Sequence, residues 1–195
     1  MKIYDCFLDD KNEFAVDNTT IGKMIAQAGK QHLWGPHKAE ARIDTVVIHY
    51  MSAVYVTPDD PYNVGQLLKL FCDYGVSCHY LITREGEIYR LVPEEARAWH
   101  CGGSIMPDPD NRRNVNDFSI GIELAATAKS GFTEAQYDAL CKLCADIEER
   151  HGIGMKYIGH DHIAGKRAVE LSLRKDIKTD PGPLFDWDYF TRRLR

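Results

Sequence analysis

The sequence predicts an α/β domain with a mixed central β-sheet flanked by helices. Segments with strand-like patterns alternate along the chain with segments of helical periodicity. Two strand segments are separated only by a turn at Glu85-Gly86, which indicates a hairpin inserted into the alternating order. In sheets of this class, functional sites collect at the ends of strands and in the adjoining loops.

The strands are recognised by runs of β-branched and aliphatic residues. Thr45 to Tyr50 is a continuous run of this kind, which is typical of a buried central strand. A second apolar run ends at Leu124, and a short strand leads directly into His160. The predicted strands are 45–50, 78–83, 87–92, 119–124 and 157–158.

The helices are recognised by an apolar stripe and by residues that favour helix ends. The clearest helix runs from Thr133 to Arg150, because Thr133 and Gln136 form a capping box and Gly152 suits the exit. The other predicted helices are 20–28, 64–74 and one that begins after Asp186, and 93–117 is predicted to be a long loop.

The composition limits the class of protein. The chain has 195 residues, of which 44% are hydrophobic and 27% charged, enough for one well-packed domain. A net charge of -5 argues against a nucleic-acid or anionic-membrane surface, and no apolar run is long enough to insert into a membrane. The acidic N-terminus is unlike a secretory signal, so we expect a cytoplasmic protein. The alternative is an exported or phage-lytic protein without a classical signal.

We expect two parts along the chain. Residues 1–43 differ in pattern from the rest and are predicted to form an N-terminal extension packed on the domain. Residues 44–195 are predicted to form the functional domain itself.

The six cysteines do not by themselves indicate a disulfide framework or a metal site. A chain of this length needs no disulfides to fold. Cys141 and Cys144 form a C-x-x-C pair, a spacing that elsewhere binds zinc or undergoes redox reactions. They lie in the predicted helix 133–150 without a second pair, so we interpret them as buried apolar residues.

The most specific pattern lies near the end of the chain, where Gly159-His160-Asp161-His162 is followed by Lys178-Thr179-Asp180-Pro181. Pro181 favours an extended backbone at Asp180, and in extended chain residues two apart point the same way. We therefore expect Lys178 and Asp180 to face one pocket. An imidazole, a carboxylate and an amine so close in sequence are the groups that a hydrolytic zinc site needs.

His49 ends the first buried strand, where a histidine is costly unless it is paired or bound to a metal. Taken alone, it is more simply a core histidine hydrogen-bonded to the backbone. Together with His160 and Asp180 it makes a set of two histidines and one carboxylate, which is typical of an open catalytic zinc site.

Glu123 is the candidate general base. It lies in an apolar strand, where burial raises the pKa of a carboxyl group and suits it to proton transfer. The alternative is a structural glutamate paired with an arginine such as Arg112 or Arg113. Lys178 is the candidate for stabilising an oxyanion, and its alternative is a solvated surface lysine.

These residues lie in segments that resemble the zinc-dependent N-acetylmuramoyl-L-alanine amidases, the family that includes peptidoglycan recognition proteins and small phage amidases. The resemblance extends from Asp44 to Phe190. No single segment is decisive, but their order is specific. The matching segments are Val47 to His49, Ser77 to Ile82 with Gly86, Arg97 to Gly102, Asn116 to Leu124 and Gly159 to Trp187.

The resemblance implies the fold and the roles of the site residues. It implies that His49, His160 and Asp180 bind Zn²⁺, that Glu123 is the general base and that Lys178 stabilises the oxyanion. The implied reaction is hydrolysis of the amide between N-acetylmuramic acid, or its 1,6-anhydro form, and L-alanine in peptidoglycan or muropeptides. The chain is similar to the cytosolic amidases of cell-wall recycling, which use Asp where recognition proteins commonly have Cys as third ligand.

The same resemblance indicates which residues contact the substrate. They are Trp99, His100, Arg112, Arg113 and Asn116. The two arginines are included because Asn114 stands where the family pattern has an arginine for the carboxylates of the peptide stem. Trp99 either packs its own loop or stacks on a sugar. His79, in the hairpin, is interpreted as a core residue.

The chain also departs from the family pattern. The spacing from His160 to Asp180 is longer, and the extra stretch covers Gly165 to Asp176. We expect this insertion to form a loop or short helix beside the pocket and to alter which stem or glycan fits. His162 stands where the family has an acidic residue, and the first forty residues have no counterpart.

The alternative function is a non-catalytic peptidoglycan-binding module of the same fold. Such modules lose a metal ligand or the base, whereas this chain has the three ligands, Glu123 and Lys178. We therefore predict an enzyme. Soluble anhydro-muropeptides and polymeric murein both remain open as substrates.

Overall fold

The structure is a computed structural model that describes residues 1–38, 41–152 and 154–195. The strands are β1 (Ile3–Asp5), β2 (Ala15–Val16), β3 (Thr19–Thr20), β4 (Trp34–Pro36), β5 (Thr45–Met51), β6 (Tyr80–Ile82), β7 (Ile88–Arg90), β8 (Ala96–Ala98), β9 (Ser119–Ala125) and β10 (Lys156–Gly159). The helices are α1 (Ile21–Gln27), α2 (Val64–Tyr74), α3 (Glu134–His151), α4 (His160–Ile163), α5 (Lys166–Glu170) and α6 (Trp187–Leu194), with a 3₁₀ turn at Val115–Asp117.

A six-stranded sheet lies at the centre, in the order β1-β7-β6-β9-β5-β10. β6 and β7 form the predicted hairpin and are antiparallel, whereas every other neighbouring pair in this sheet is parallel. The sheet is therefore mixed, as the sequence predicts. Two short antiparallel pairs, β2 with β3 and β4 with β8, accompany it.

The predicted helices are confirmed, and polar side chains explain where they begin. Thr133 Oγ1 accepts the Gln136 backbone N–H at 3.1 Å, and the Gln136 side chain accepts the Thr133 N–H at 3.1 Å, which is the predicted capping box of α3. Gly152 ends this helix with a φ of 63°, in the left-handed region that favours glycine. The side chains that cap α1, α2 and α6 are Thr20, Asn63 and Asp186.

The two faces of the sheet pack against different elements. Val46 and Ile48 of β5 lie in an apolar cluster with residues of α3 and α6. Val47 lies in a second cluster with residues of the chain between β8 and β9, and Leu81 of β6 lies in a third with α1 and α2. Successive strand residues point to opposite faces, so His49 shares the face of Val47 and points away from α3.

The N-terminal residues take part in the same sheet. β1 pairs in parallel with β7 at the edge of the central sheet, and β4 pairs with β8 in a separate two-stranded sheet. α1 packs with α2 in one apolar cluster. The segment predicted as an extension thus supplies an edge strand as well as packing contacts, and the division between residues 43 and 44 stays a prediction.

Other expectations can be compared directly with the structure. The stretch 93–117 is not wholly a loop, because it contains β8 and the 3₁₀ turn. Cys141 and Cys144 are buried, as predicted. The insertion 165–176 contains the short helix α5. Within the described ranges, no helix is both long enough and apolar enough to cross a membrane.

The packing of α3 predicts the cost of a cavity. Leu140 is fully buried against the sheet, so Leu140→Ala should lower the free energy of unfolding by about 2–5 kcal/mol. Leu184, which is 48% exposed, provides a matched control whose change to Ala should cost far less. Urea unfolding of both variants measures the difference, and equal losses would contradict the assignment of α3 to the core.

Candidate metal and catalytic site

Strand register places the central site residues side by side. In the β5–β9 pairing, His49 is opposite Glu123, so both side chains lie on one face of the sheet. In the β5–β10 pairing, Ile48 is opposite Gly159, and His160 follows at once as the first residue of α4. His160 therefore comes level with His49 where β10 ends.

Asp180 brings its carboxylate to both histidines. Its Oδ2 atom lies 3.0 Å from His49 Nδ1 and 3.0 Å from His160 Nδ1. The two imidazole rings are 4.5 Å apart between centroids, and both residues are almost fully buried. The Asp180 backbone is fixed as well, because its carbonyl accepts the Asp161 N–H at 2.7 Å. The three predicted ligands thus converge on one point.

The hydrogen bond at Nε2 of His160 determines which nitrogen of the ring carries the proton. Nε2 of His160 lies 3.2 Å from the carbonyl oxygen of Cys101, which can only accept a hydrogen bond. Nε2 therefore carries the proton in the neutral ring. Nδ1 is left with a lone pair that points at the Asp180 oxygen.

A chain of hydrogen bonds sets the tautomer of His49 in the same way. Ser119 Oγ donates to the Val115 carbonyl at 2.7 Å, so it accepts from His100 Nε2 at 3.4 Å. His100 Nδ1 is then free to accept from His49 Nε2 at 3.0 Å. His49 Nδ1 is left unprotonated and also faces Asp180.

The charges of the three groups suit a cation. Burial, reinforced by the neighbouring His160, lowers the pKa of His49 to about 4, so the ring is neutral near pH 7. Two nitrogen lone pairs and a carboxylate oxygen repel one another unless a positive charge lies between them, and a divalent metal would supply it.

A second group of possible ligands overlaps this one but suits a metal less well. The ligand atoms of His49, His100 and Cys101 also lie within 4.8 Å of one another. However, burial raises the pKa of the Cys101 thiol well above its ordinary value, so the sulfur keeps its proton. The group of His49, His160 and Asp180 is therefore the better metal site.

Glu123 lies beside this site with an unpaired carboxyl oxygen. Among the described residues, its buried Oε2 atom has no hydrogen-bond partner. Burial raises the pKa of Glu123 well above its usual value, Asp180 raises it further, and Lys178 opposes both. The structural alternative, a pairing of Glu123 with Arg112 or Arg113, is absent within the described ranges. A carboxyl group with one buried oxygen that lacks a partner among the described residues can accept and return a proton.

Lys178 is exposed and acts on the site through its charge. It lowers the pKa of both Glu123 and His49. Its backbone N–H donates to the Ala164 carbonyl at 3.0 Å, which fixes the strand-like tail next to α4. Within the described part of the chain, its ammonium group has no ion-pair partner.

Four of the five residues expected to contact substrate line two separate cavities. Trp99 and Asn116 line a cavity of about 330 Å³, and Arg112 and Arg113 line another of about 660 Å³. Arg112 is already engaged, because it pairs with Asp110 at 2.7 Å. Arg113 is exposed.

The side chains of His100 and Asn116 form hydrogen bonds within the protein, and Asn116 also lines a cavity. His100 sits behind His49, and its ring fills the space over Gly121, where a Cβ atom would lie 2.5 Å from the ring. The Asn116 carboxamide oxygen accepts the backbone N–H groups of His100 and Cys101 at 3.2 and 2.8 Å. Both residues therefore hold the loop that backs the metal site.

His79 is a satisfied core residue, as predicted. Its Nδ1 accepts the Gly121 N–H at 3.0 Å, and its Nε2 donates to the Ala96 carbonyl at 3.0 Å. Burial lowers the pKa of His79 to about 4, so the ring stays neutral. Sequence patterns did not indicate the roles of Ser119 and Cys101. Ser119 acts through a common type of side chain, and Cys101 acts through its backbone carbonyl.

The family is shown by comparison with known proteins. The family profile described as N-acetylmuramoyl-L-alanine amidase matches residues 39–183. The chain belongs to this amidase family. The family consists of hydrolases that cleave an amide, which agrees with the enzyme predicted from the sequence.

The relatives of this amidase cover most of its length. The 1,6-anhydro-N-acetylmuramyl-L-alanine amidase AmpD of Citrobacter freundii is 43% identical over 188 residues, covering 96% of this chain and 83% of the relative. The expectation that the first forty residues have no counterpart is therefore wrong, because this match reaches into them. The N-acetylmuramoyl-L-alanine amidase AmiD of Escherichia coli is 34% identical over 172 residues, covering 80% of this chain and 54% of that protein.

Solved structures show the same fold. A crystal structure of a selenomethionine AmpD derivative matches with a TM-score of 0.63 and 32% identity, covering 83% of this amidase and 90% of that chain. The Escherichia coli AmiD complex with anhydro-N-acetylmuramic acid-L-Ala-D-gamma-Glu-L-Lys matches with a TM-score of 0.59 and 31% identity, covering 80% and 60%.

The unpaired carboxyl of Glu123 predicts a pH-dependent cost in the metal-free protein. Because its pKa is higher in the folded than in the unfolded state, its contribution to stability is greatest at low pH and is lost as pH rises towards the folded pKa. Glu123→Gln should therefore gain thermal stability relative to wild type between pH 5 and pH 8. Melting curves at both pH values measure this, with the exposed Glu95→Gln as control. A pH-independent difference would contradict the burial of an ionisable group.

Proposed function

We propose that this amidase hydrolyses the amide between 1,6-anhydro-N-acetylmuramic acid and L-alanine in soluble muropeptides, in the cytoplasm. The observation that carries the proposal is the convergence of two imidazole lone pairs and a carboxylate beside the unpaired carboxyl of Glu123. The names of its AmpD relatives and the ligand in the AmiD complex support the anhydro-muramyl substrate.

We assign His49, His160 and Asp180 as the ligands of Zn²⁺. Two histidines and a carboxylate are a typical catalytic set for this ion, and the ligand atoms lie within 4.8 Å of one another. When bound, zinc acts as a Lewis acid towards the amide carbonyl and lowers the pKa of water.

Glu123 is proposed as the general base and then the general acid. Its carboxylate takes a proton from the attacking water and returns it to the departing nitrogen of L-alanine. Its raised pKa favours this exchange, because a more basic carboxylate takes the proton of the attacking water more readily. Burial of Oε2 away from other donors keeps the atom free for the reaction.

Lys178 is proposed to stabilise the negative charge that develops on the carbonyl oxygen. Its charge is felt at both Glu123 and His49, which supports a role on the reacting side of the site. Its freedom from ion pairs within the described residues leaves the ammonium available.

Substrate contacts are proposed to come from Trp99 and Arg113. Arg97 stacks on the Trp99 ring with its guanidinium carbon 4.5 Å from the centroid, so the ring is held in place at the edge of its cavity. Arg113 is the exposed arginine suited to a carboxylate of the peptide stem. Arg112, His100 and Asn116 are proposed to support the loop from behind, because their polar groups are already engaged.

A direct test separates the enzyme from a binding module. The zinc-loaded protein should release free stem peptide from a 1,6-anhydro-muramyl tripeptide, as followed by mass spectrometry. Glu123→Ala should lower the rate by roughly two to four decades while zinc content stays stoichiometric. Binding without release by the wild type would support the non-catalytic module, and faster release from intact sacculi would assign the enzyme to murein instead.

The ligand assignment has its own test. His49→Ala should lose stoichiometric zinc and activity together, because two remaining ligands leave the site incomplete. His162→Ala is the matched control, since its side chain is 56% exposed, and it should keep both. Zinc is measured after dialysis by atomic emission. Retention of one zinc per chain in the His49 variant would refute its role.

A further inference from the structure

We infer that Arg174, within the insertion 165–176, is a positioning residue that holds the Cys101 carbonyl against the metal ligand His160. The inference rests on the proposed function, because it concerns how that metal site is supported. It assigns the insertion a role in retaining the metal, in addition to the expected effect on the choice of stem or glycan.

The guanidinium of Arg174 binds the loop that follows Trp99. Its Nη1 donates to the carbonyl oxygen of Cys101 at 3.2 Å and to that of Gly103 at 3.3 Å. Its Nε donates to the carbonyl of Asp176 at 2.6 Å, which fixes the side chain relative to its own segment. The planar group thus joins the insertion to two backbone carbonyls.

The Cys101 carbonyl is shared with the metal site. It is the oxygen that accepts from His160 Nε2 at 3.2 Å, and it thereby fixes both the tautomer and the orientation of that ring. A carbonyl has two lone pairs and can accept from Arg174 and His160 at once. Arg174 therefore lies one hydrogen bond beyond the atom that orients the ligand.

The insertion is closely seated on this loop. A Cβ atom on Gly103 would lie 1.9 Å from the Leu173 carbonyl oxygen, so the two backbones approach in a way that only glycine permits. Arg167 extends the contact, because its Nη1 donates to the Met106 carbonyl at 3.0 Å. A further hydrogen bond, from Leu173 N–H to the Ala168 carbonyl at 2.9 Å, closes the insertion on itself.

Loss of Arg174 should therefore loosen the metal rather than the fold. Partners of a metal-bound histidine contribute roughly 10- to 100-fold to metal affinity, so for a group one bond further out we expect a loss of roughly three- to tenfold. The loop keeps other supports, because the backbone N–H groups of His100 and Cys101 still donate to the carboxamide oxygen of Asn116.

The experiment compares zinc-loaded full-length variants. Arg174→Met removes the donors, and Arg174→Lys keeps the charge but can reach one carbonyl at a time. Lys175→Met, at an exposed neighbouring position, is the control. The measurements are zinc affinity by chelator competition, the rate of zinc release, and thermal unfolding after zinc is removed.

We expect Arg174→Met to bind zinc three- to tenfold more weakly and release it faster, Arg174→Lys to fall between, and Lys175→Met to match wild type. Unfolding of the zinc-free proteins should be nearly unchanged. Wild-type zinc affinity in Arg174→Met would overturn the inference, as would a loss explained entirely by a lower melting temperature. If Arg174→Met does not fold, Arg174→Lys decides by the same criteria. A wild-type protein that binds no zinc would instead refute the proposed function.

Discussion

Parallel pairing of β5 with β9 on one side and β10 on the other places Glu123, His49 and His160 in one row. Side chains alternate between the faces of a strand, so a slip of one residue would move His49 into the apolar cluster under α3. The opposite face of β5 is filled by Val46 and Ile48, which makes that slip very costly. The hydrophobic core thus sets the register, and the register sets the geometry of the site.

This arrangement of buried polar groups costs electrostatic free energy in the folded state. The site gathers two imidazole nitrogens around a carboxylate, in a place where burial lowers the pKa of His49 to about 4 and raises that of Glu123. Neither group can relieve the cost by finding another partner, since His49 Nε2 is engaged with His100 and Glu123 Oε2 faces no donor among the described residues. A bound cation would remove much of this cost, and metal binding at the proposed site would then be coupled to folding.

The sequence predicted the row of site residues because each lies at a strand end or in a motif with its own pattern. Thr45 to Tyr50 and Ser119 to Leu124 are unambiguous strands, and Pro181 marks the extended tail that carries Asp180. The roles of Arg112 and His100 could not be predicted in the same way. Whether an arginine faces Asp110 or a substrate depends on how a long loop folds, and residue type alone does not distinguish the two.

The insertion between His160 and Asp180 affects the conformational entropy of the chain that connects these two residues. A longer connection between two ligands costs more to close, by about 0.6 kcal/mol for each doubling of length in a flexible chain. The structure removes most of that freedom, because Arg167 and Arg174 hydrogen-bond the insertion to the chain between Cys101 and Met106 and Leu173 lies against Gly103 of that chain. That same chain orients His160 through the Cys101 carbonyl. The inserted residues are therefore held against the same backbone that orients His160. The insertion lengthens the connection to Asp180 and also stiffens the site.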